Sequence, residues 1–176
     1  MSKIYFISGH GDLTQDEFDT HYRPYIDKAI AEGASFLVGD YTGCAKMSQM
    51  YLRHKGVENV TIYHMFWMPR YSLGYPMLGG FKSDNERDTA MTNISDEDIA
   101  WVRPGKERSG TAKNKSRRAM AICQYRQDKE IFEMVDFIIK CKNEDERAFN
   151  QEMEQIVADT AKLMQERKLR ESTTTT

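Results

Sequence analysis

The chain has 176 residues, of which 40% are hydrophobic and 30% charged, and its formal net charge at pH 7 is −2. This length and composition predict one globular domain, and the weak negative charge argues against nucleic acid as the main partner. No apolar run reaches the ~18 residues of a membrane span, and the first residues lack the charged-then-apolar order of a signal peptide. We therefore expect a cytoplasmic protein without a membrane segment.

The first part of the chain alternates short apolar runs with amphipathic segments. Strands are predicted at 3–8, 35–39 and 59–65, where β-branched and aromatic residues cluster. The first intervening segment opens with a capping box formed by Thr14 and Glu17. Helices of this kind between apolar strands predict a parallel sheet with helices on both faces.

The second part of the chain is less regular. Residues 66–81 contain aromatics, prolines and glycines, and their apolar residues follow neither the helical nor the strand period. This segment therefore predicts a long functional loop. A helix is predicted from the capping box at Ser83 to about Met91, followed by a strand at 99–103 and a helix at 112–127. Periodicity leaves open whether 132–141 is a strand or a continued helix.

These patterns give an expected domain organisation. Residues 1–142 are predicted to form a Rossmann-like, doubly wound α/β domain, 143–170 a C-terminal helical extension and 171–176 a disordered tail. The predicted C-terminal helix has an apolar stripe that must be buried, so we expect part of it to pack against a second copy in a homodimer or higher homo-oligomer.

Three loops with small residues follow predicted strands, and they carry the candidate site. In an open parallel sheet, ligands bind outside the carboxyl ends of the strands. Glycines allow backbone N–H groups to approach an anion, and a helix N-terminus adds partial positive charge, so the loops predict a phosphate-binding site with space for a nucleoside. The candidate ligand-binding residues are Ser8, Gly9, His10, Gly39, Asp40, Thr42, Gly43, Cys44, Arg108, Ser109, Gly110 and Thr111.

Two of these residues are also candidates for catalysis. Asp40 follows a strand, where its carboxylate can bond a ribose hydroxyl or attack an anomeric carbon, or else cap the next turn. His10 can donate to a phosphate or act as a general acid, or else be a solvated loop residue. Cys44 is expected to have a lowered pKa if it is exposed, because it lies near a helix start.

No spacing in the chain predicts a metal site or a bound cofactor. The four histidines show neither an HxH nor an HExxH pattern. Cys44, Cys123 and Cys141 show no CxxC spacing and are expected to be reduced thiols.

The segments "ISGHGDLT", "VGDYTGCAKMSQMYL" and "RSGTAKN" resemble the SLOG superfamily, Rossmann-like proteins that include the LOG and DprA/Smf groups, and within it the YpsA-related branch. The resemblance covers roughly residues 3–118 and implies a nucleotide-binding fold, with Asn114 joining the third loop of the site. This chain has Ala45 where the branch has aspartate, and it lacks the glutamate of the LOG signature "PGGxGTxxE".

Three functions remain open at this point. The first is a module that binds a nucleotide or nucleotide-derived signal. The second is an enzyme that hydrolyses or transfers the N-glycosidic bond of a nucleotide, and the third is a protein–protein interaction or inhibitor module. We favour binding, because two carboxylates that the resemblance would supply are missing.

Overall fold

The computed structural model describes residues 2–142 and 152–164. The chain divides into two compact units, Met1–Ile122 and Cys123–Thr176. The first unit contains the whole sheet and the candidate site. No helix in the described part of the chain has the length and apolarity that crossing a membrane requires.

Five strands form one sheet in the first unit. Its order is β4-β3-β2-β1-β5, and every pair of neighbouring strands is parallel, which confirms the expected α/β doubly wound architecture. The strands are β1 Ile4–Ser8, β2 Ser35–Gly39, β3 Val60–Met65, β4 Met77–Phe81 and β5 Glu97–Ala100. Strand β4 lies within the segment predicted as a loop, and β5 begins two residues before the predicted strand at 99–103.

The helices largely follow the predicted pattern. They are α1 Gln15–His21, α2 Arg23–Ala31, α3 Cys44–His54, α4 Asp84–Ile94 and α5 Gly110–Lys142. Residues 132–141 lie within α5, which settles their ambiguity in favour of helix, and α5 also passes the boundary between the two units. Residues 152–164 are helical too, whereas the rest of the predicted 143–170 helix and the 171–176 tail lie outside the described residues.

Alternating residues on the strands build a core on each face of the sheet. On one face Ile7, Val38 and Ile62 are almost fully buried in a cluster with residues of α1, α2 and α3. On the other face Phe6 and Leu37 pack with Met91 of α4. Helices therefore cover both faces, as continuous apolar strands require.

The strand order determines where a ligand can enter. The chain adds β2, β3 and β4 on one side of β1 and then returns to place β5 on the other side. Helices α1, α2 and α3 pack on one face and α4, which leads into β5, packs on the other, so the loops after β1 and β5 border a crevice at the carboxyl edge.

Candidate functional site

A cavity of about 340 Å³ lies at this carboxyl edge. Its walls come from the loops after β1, β2 and β5 and from one side of α4. The structure brings together most of the residues predicted from the three loops, namely Ser8, Gly9, His10, Gly39, Thr42, Ser109, Gly110, Thr111 and Asn114. Asp40, Gly43, Cys44 and Arg108 do not line this cavity.

Asp40 is fully buried between two arginines. Arg70 donates to both carboxylate oxygens, at 2.7 and 3.1 Å, and Arg87 donates to Oδ1 at 3.0 Å. Burial alone would raise the pKa of Asp40, but the bonds from Arg70 and the charges of both arginines outweigh it and lower that pKa. This is the geometry of an ion pair that joins β2 to α4, and it gives no support to a nucleophilic role for Asp40.

Arg87 lies in the cavity wall and also bonds residues of α4, and it is not among the site residues that the sequence predicts. Its guanidinium bonds Asp88 Oδ1 at 2.8 and 3.0 Å, and Asp88 Oδ2 accepts from Asn114 Nδ2 at 2.9 Å. Asp84 also bonds Arg87, at 2.9 Å, and remains half exposed. The sequence does contain a pattern that indicates this wall. The spacing of residues 84, 87, 88 and 91 places them on one face of a helix, and all four line the cavity.

Ser8 supplies a hydroxyl with no partner. Ser8 is the last residue of β1, it lines the cavity, and it is only 8% exposed. Its Oγ makes no hydrogen bond within the described residues. Because buried polar groups are nearly always hydrogen-bonded, this hydroxyl indicates a missing partner in the cavity.

The N-terminus of α5 forms the opposite wall. Ser109 caps the helix by accepting from the N–H of Ala112 at 3.2 Å. The N–H groups of Gly110 and Thr111 have no acceptor in the described residues, as is usual for a first helical turn. A Cβ at Gly110 would meet no atom within 4 Å, so the space in front of this turn is open.

His10 is held as a neutral side chain beside the cavity. The backbone N–H of Arg103 donates to its Nε2 at 3.0 Å, so the ring proton is on Nδ1. Burial and then the charge of Arg103 lower the pKa of His10. At neutral pH His10 is therefore a hydrogen-bond donor and not a cation.

Gly43 and Cys44 serve the packing of the loops. A Cβ on Gly43, whose φ is 63°, would lie 2.4 Å from the carbonyl oxygen of His10. The close approach to the backbone that the loop glycines predict is thus present at Gly43, but the approaching group is the first loop of the chain itself and not an anion. Burial raises the pKa of Cys44 to about 12, so the lowered pKa expected for an exposed thiol does not apply.

The sheet, its strand order and the cavity at the strand ends define a Rossmann-like, doubly wound α/β protein. No protein-family model matches the chain, and comparison with curated proteins and with solved structures likewise gave no match. Within the described residues, no group of three or more histidine, cysteine, aspartate or glutamate side chains is arranged to hold a metal ion.

Proposed function

We propose that the cavity binds a nucleotide or a nucleotide-derived small molecule, as the resemblance to the SLOG superfamily implies. The observation that carries this proposal is the unpartnered, buried hydroxyl of Ser8, a residue that lines the cavity together with Gly110 and Thr111, whose N–H groups have no acceptor in the described residues. Together these donors suit an anionic group such as phosphate, because the dipole of α5 adds favourable charge at the same place.

Two carboxylates in the same cavity suit the sugar or base of such a ligand. Asp84 and Asp88 line it from α4, and their oxygens accept hydrogen bonds. Ribose hydroxyls and exocyclic base amines are donors that match these carboxylates. A molecule that carries both an anionic group and hydrogen-bond donors is therefore the best complement to the cavity.

Binding without turnover is favoured over catalysis. Asp40 is enclosed by Arg70 and Arg87, and Ala45 lines the cavity where the YpsA-related branch has aspartate. Enzymatic cleavage of an N-glycosidic bond remains the second candidate, because Asp84 is half exposed and lines the cavity. Release of free base from nucleotides, abolished by Asp84→Asn, would favour this alternative.

The test uses a substitution that enters the open space at Gly110. Gly110→Asp adds a negative charge in front of the α5 N-terminus, whereas Gly110→Asn adds the same volume without charge. We expect a nucleotide mass to co-purify with the wild type and with Gly110→Asn but not with Gly110→Asp. Aspartate is favourable in a first helical turn, so the charged variant should stay folded. If both variants retain the nucleotide equally, the phosphate does not lie in front of the α5 N-terminus as proposed.

We also propose that the chain self-associates through its second unit. Large apolar side chains there are exposed, among them Phe132 at 77% and Leu163 at 65%. Surfaces of this kind usually mark interaction sites. A cytoplasmic location is part of the proposal, and the free thiols of Cys44 and Cys123 agree with a reducing compartment.

A further inference from the structure

A second cavity, of about 560 Å³, adjoins the first on the side of the β5–α5 loop. His10 and Ser109 line both cavities, so the first, or inner, cavity and the second, or outer, cavity are direct neighbours. The remaining lining residues of this outer cavity are Asp12, Gly105, Lys106, Glu107 and Arg108.

The charged groups of the outer cavity differ in whether they have partners. Asp12 is paired with Arg103 at 3.0 Å, and Glu107 accepts from the backbone N–H of Gly105 at 2.8 Å. The side chains of Lys106 and Arg108 make no hydrogen bond or ion pair within residues 2–142. Both acidic side chains therefore have a partner in the protein, although the backbone N–H leaves the negative charge of Glu107 uncompensated, and within residues 2–142 neither basic side chain has a partner.

His10, which separates the two cavities, adds no competing charge. Its Nε2 accepts from the backbone N–H of Arg103, and its other ring nitrogen carries the proton. A ligand that passes His10 and Ser109 from the inner cavity meets two cations within the next loop turn. Neither Lys106 nor Arg108 lines the cavity at the α5 N-terminus, so a phosphoryl group held there leaves these cations to a second one in the outer cavity.

We propose that the outer cavity receives a second phosphoryl group, so that the ligand class is nucleotides with a diphosphate or longer chain and not nucleoside monophosphates. This inference rests on the proposed nucleotide binding at the inner cavity. Arg108, which does not line the inner cavity, then acts together with Lys106 on the distal phosphate.

The experiment measures affinities by calorimetric titration without divalent cations, which would mask phosphate charge. The probes are the mono- and diphosphates of the four common ribonucleosides, together with inorganic phosphate and pyrophosphate. An exposed charge pair strengthens binding by up to about fivefold, and because the free energies of two pairs add, two should favour the diphosphates by up to about 25-fold. The double variant Lys106→Gln/Arg108→Gln should reduce this preference to about twofold or less and leave monophosphate affinity nearly unchanged.

Lys113→Gln/Lys115→Gln is the matched control, because it removes the same charge from exposed positions of α5 outside both cavities. The control should keep the preference for diphosphates. Equal affinity of the wild type for mono- and diphosphates would overturn the inference. A preference for diphosphates that survives in the double variant would overturn it too. Either result would leave the proposed nucleotide binding intact. Failure of the folded wild type to bind any probe would overturn the proposed function, and this inference with it.

Discussion

At the scale of single residues, Gly43 shows how the site is held together. Its φ of 63° favours glycine, and an added Cβ would lie within 2.5 Å of the backbone of the first loop. Gly56 has a similar φ of 70°, but nothing lies within 4 Å of its Cβ position. The two glycines therefore separate the cost of the backbone conformation from the cost of the steric clash.

We predict that Gly56→Ala lowers the free energy of unfolding by about 1 kcal/mol, the cost of a left-handed conformation alone. Gly43→Ala should lower it by roughly 3 kcal/mol or more, because the first and second loops must also move apart. Urea unfolding of both variants measures the difference. Similar losses in the two variants would show that the loops are not packed as described.

At the scale of elements, Arg103 joins the loop after β5 to the start of α1. Its guanidinium bonds both carboxylate oxygens of Glu17, at 2.6 and 2.7 Å, and Glu17 also closes the capping box with Thr14. The bond from Arg103 and that from the Thr14 backbone lower the pKa of Glu17 to about 2, against an ordinary value of 4.5. A carboxyl with a lowered pKa stabilises the fold above its unfolded pKa, and this contribution is lost as pH falls through the folded value.

We therefore predict that Glu17→Gln makes the loss of stability between about pH 5 and pH 2 shallower than in the wild type. Glutamine keeps most of the capping box but does not titrate, so only the ion pair is removed. The measurement is urea unfolding at several pH values, followed by tryptophan fluorescence. Glu130→Gln, an exposed position on α5, is the control and should leave the slope unchanged. An identical slope in Glu17→Gln would contradict the pairing.

Local sequence patterns predict most of the elements but not the contacts between distant segments. The capping box at Thr14 and the loop glycines are local signals, and the structure places them as expected. Strand β4 was missed because it contains Gly79 and Gly80, which lower strand propensity. The ring of His64 lies 2.1 Å from where a Cβ of Gly79 would be, so a tertiary contact explains that glycine.

The role of Asp40 could not be predicted for the same reason. Its partner Arg87 lies 47 residues further along the chain, and only the fold brings α4 against the end of β2. A carboxylate after a strand looks the same in the sequence whether it faces a ligand or an arginine. Spacing on α4 shows which residues share a face, but it does not show what that face contacts.

At the scale of the whole molecule, the second unit should govern association. Its exposed apolar side chains, including Tyr125, Phe132 and Phe137, favour contact with a second copy. We predict that light scattering gives at least twice the monomer mass of 20.5 kDa. Removal of residues 143–176 should lower this mass or precipitate the protein. A monodisperse full-length monomer at tens of micromolar would contradict the proposal.

If the inner cavity binds the anionic group of a nucleotide, Ser8→Ala should weaken that binding. Because Ser8 Oγ has no partner in the described residues, its removal should leave the free energy of unfolding nearly unchanged. A hydrogen bond to a charged ligand contributes about 1.5–3 kcal/mol, so calorimetric titration with the tightest-binding nucleotide should show about 10- to 100-fold weaker affinity. Ser116→Ala, on the exposed side of α5, should bind as the wild type does. Unchanged affinity in a folded Ser8→Ala variant would contradict the account.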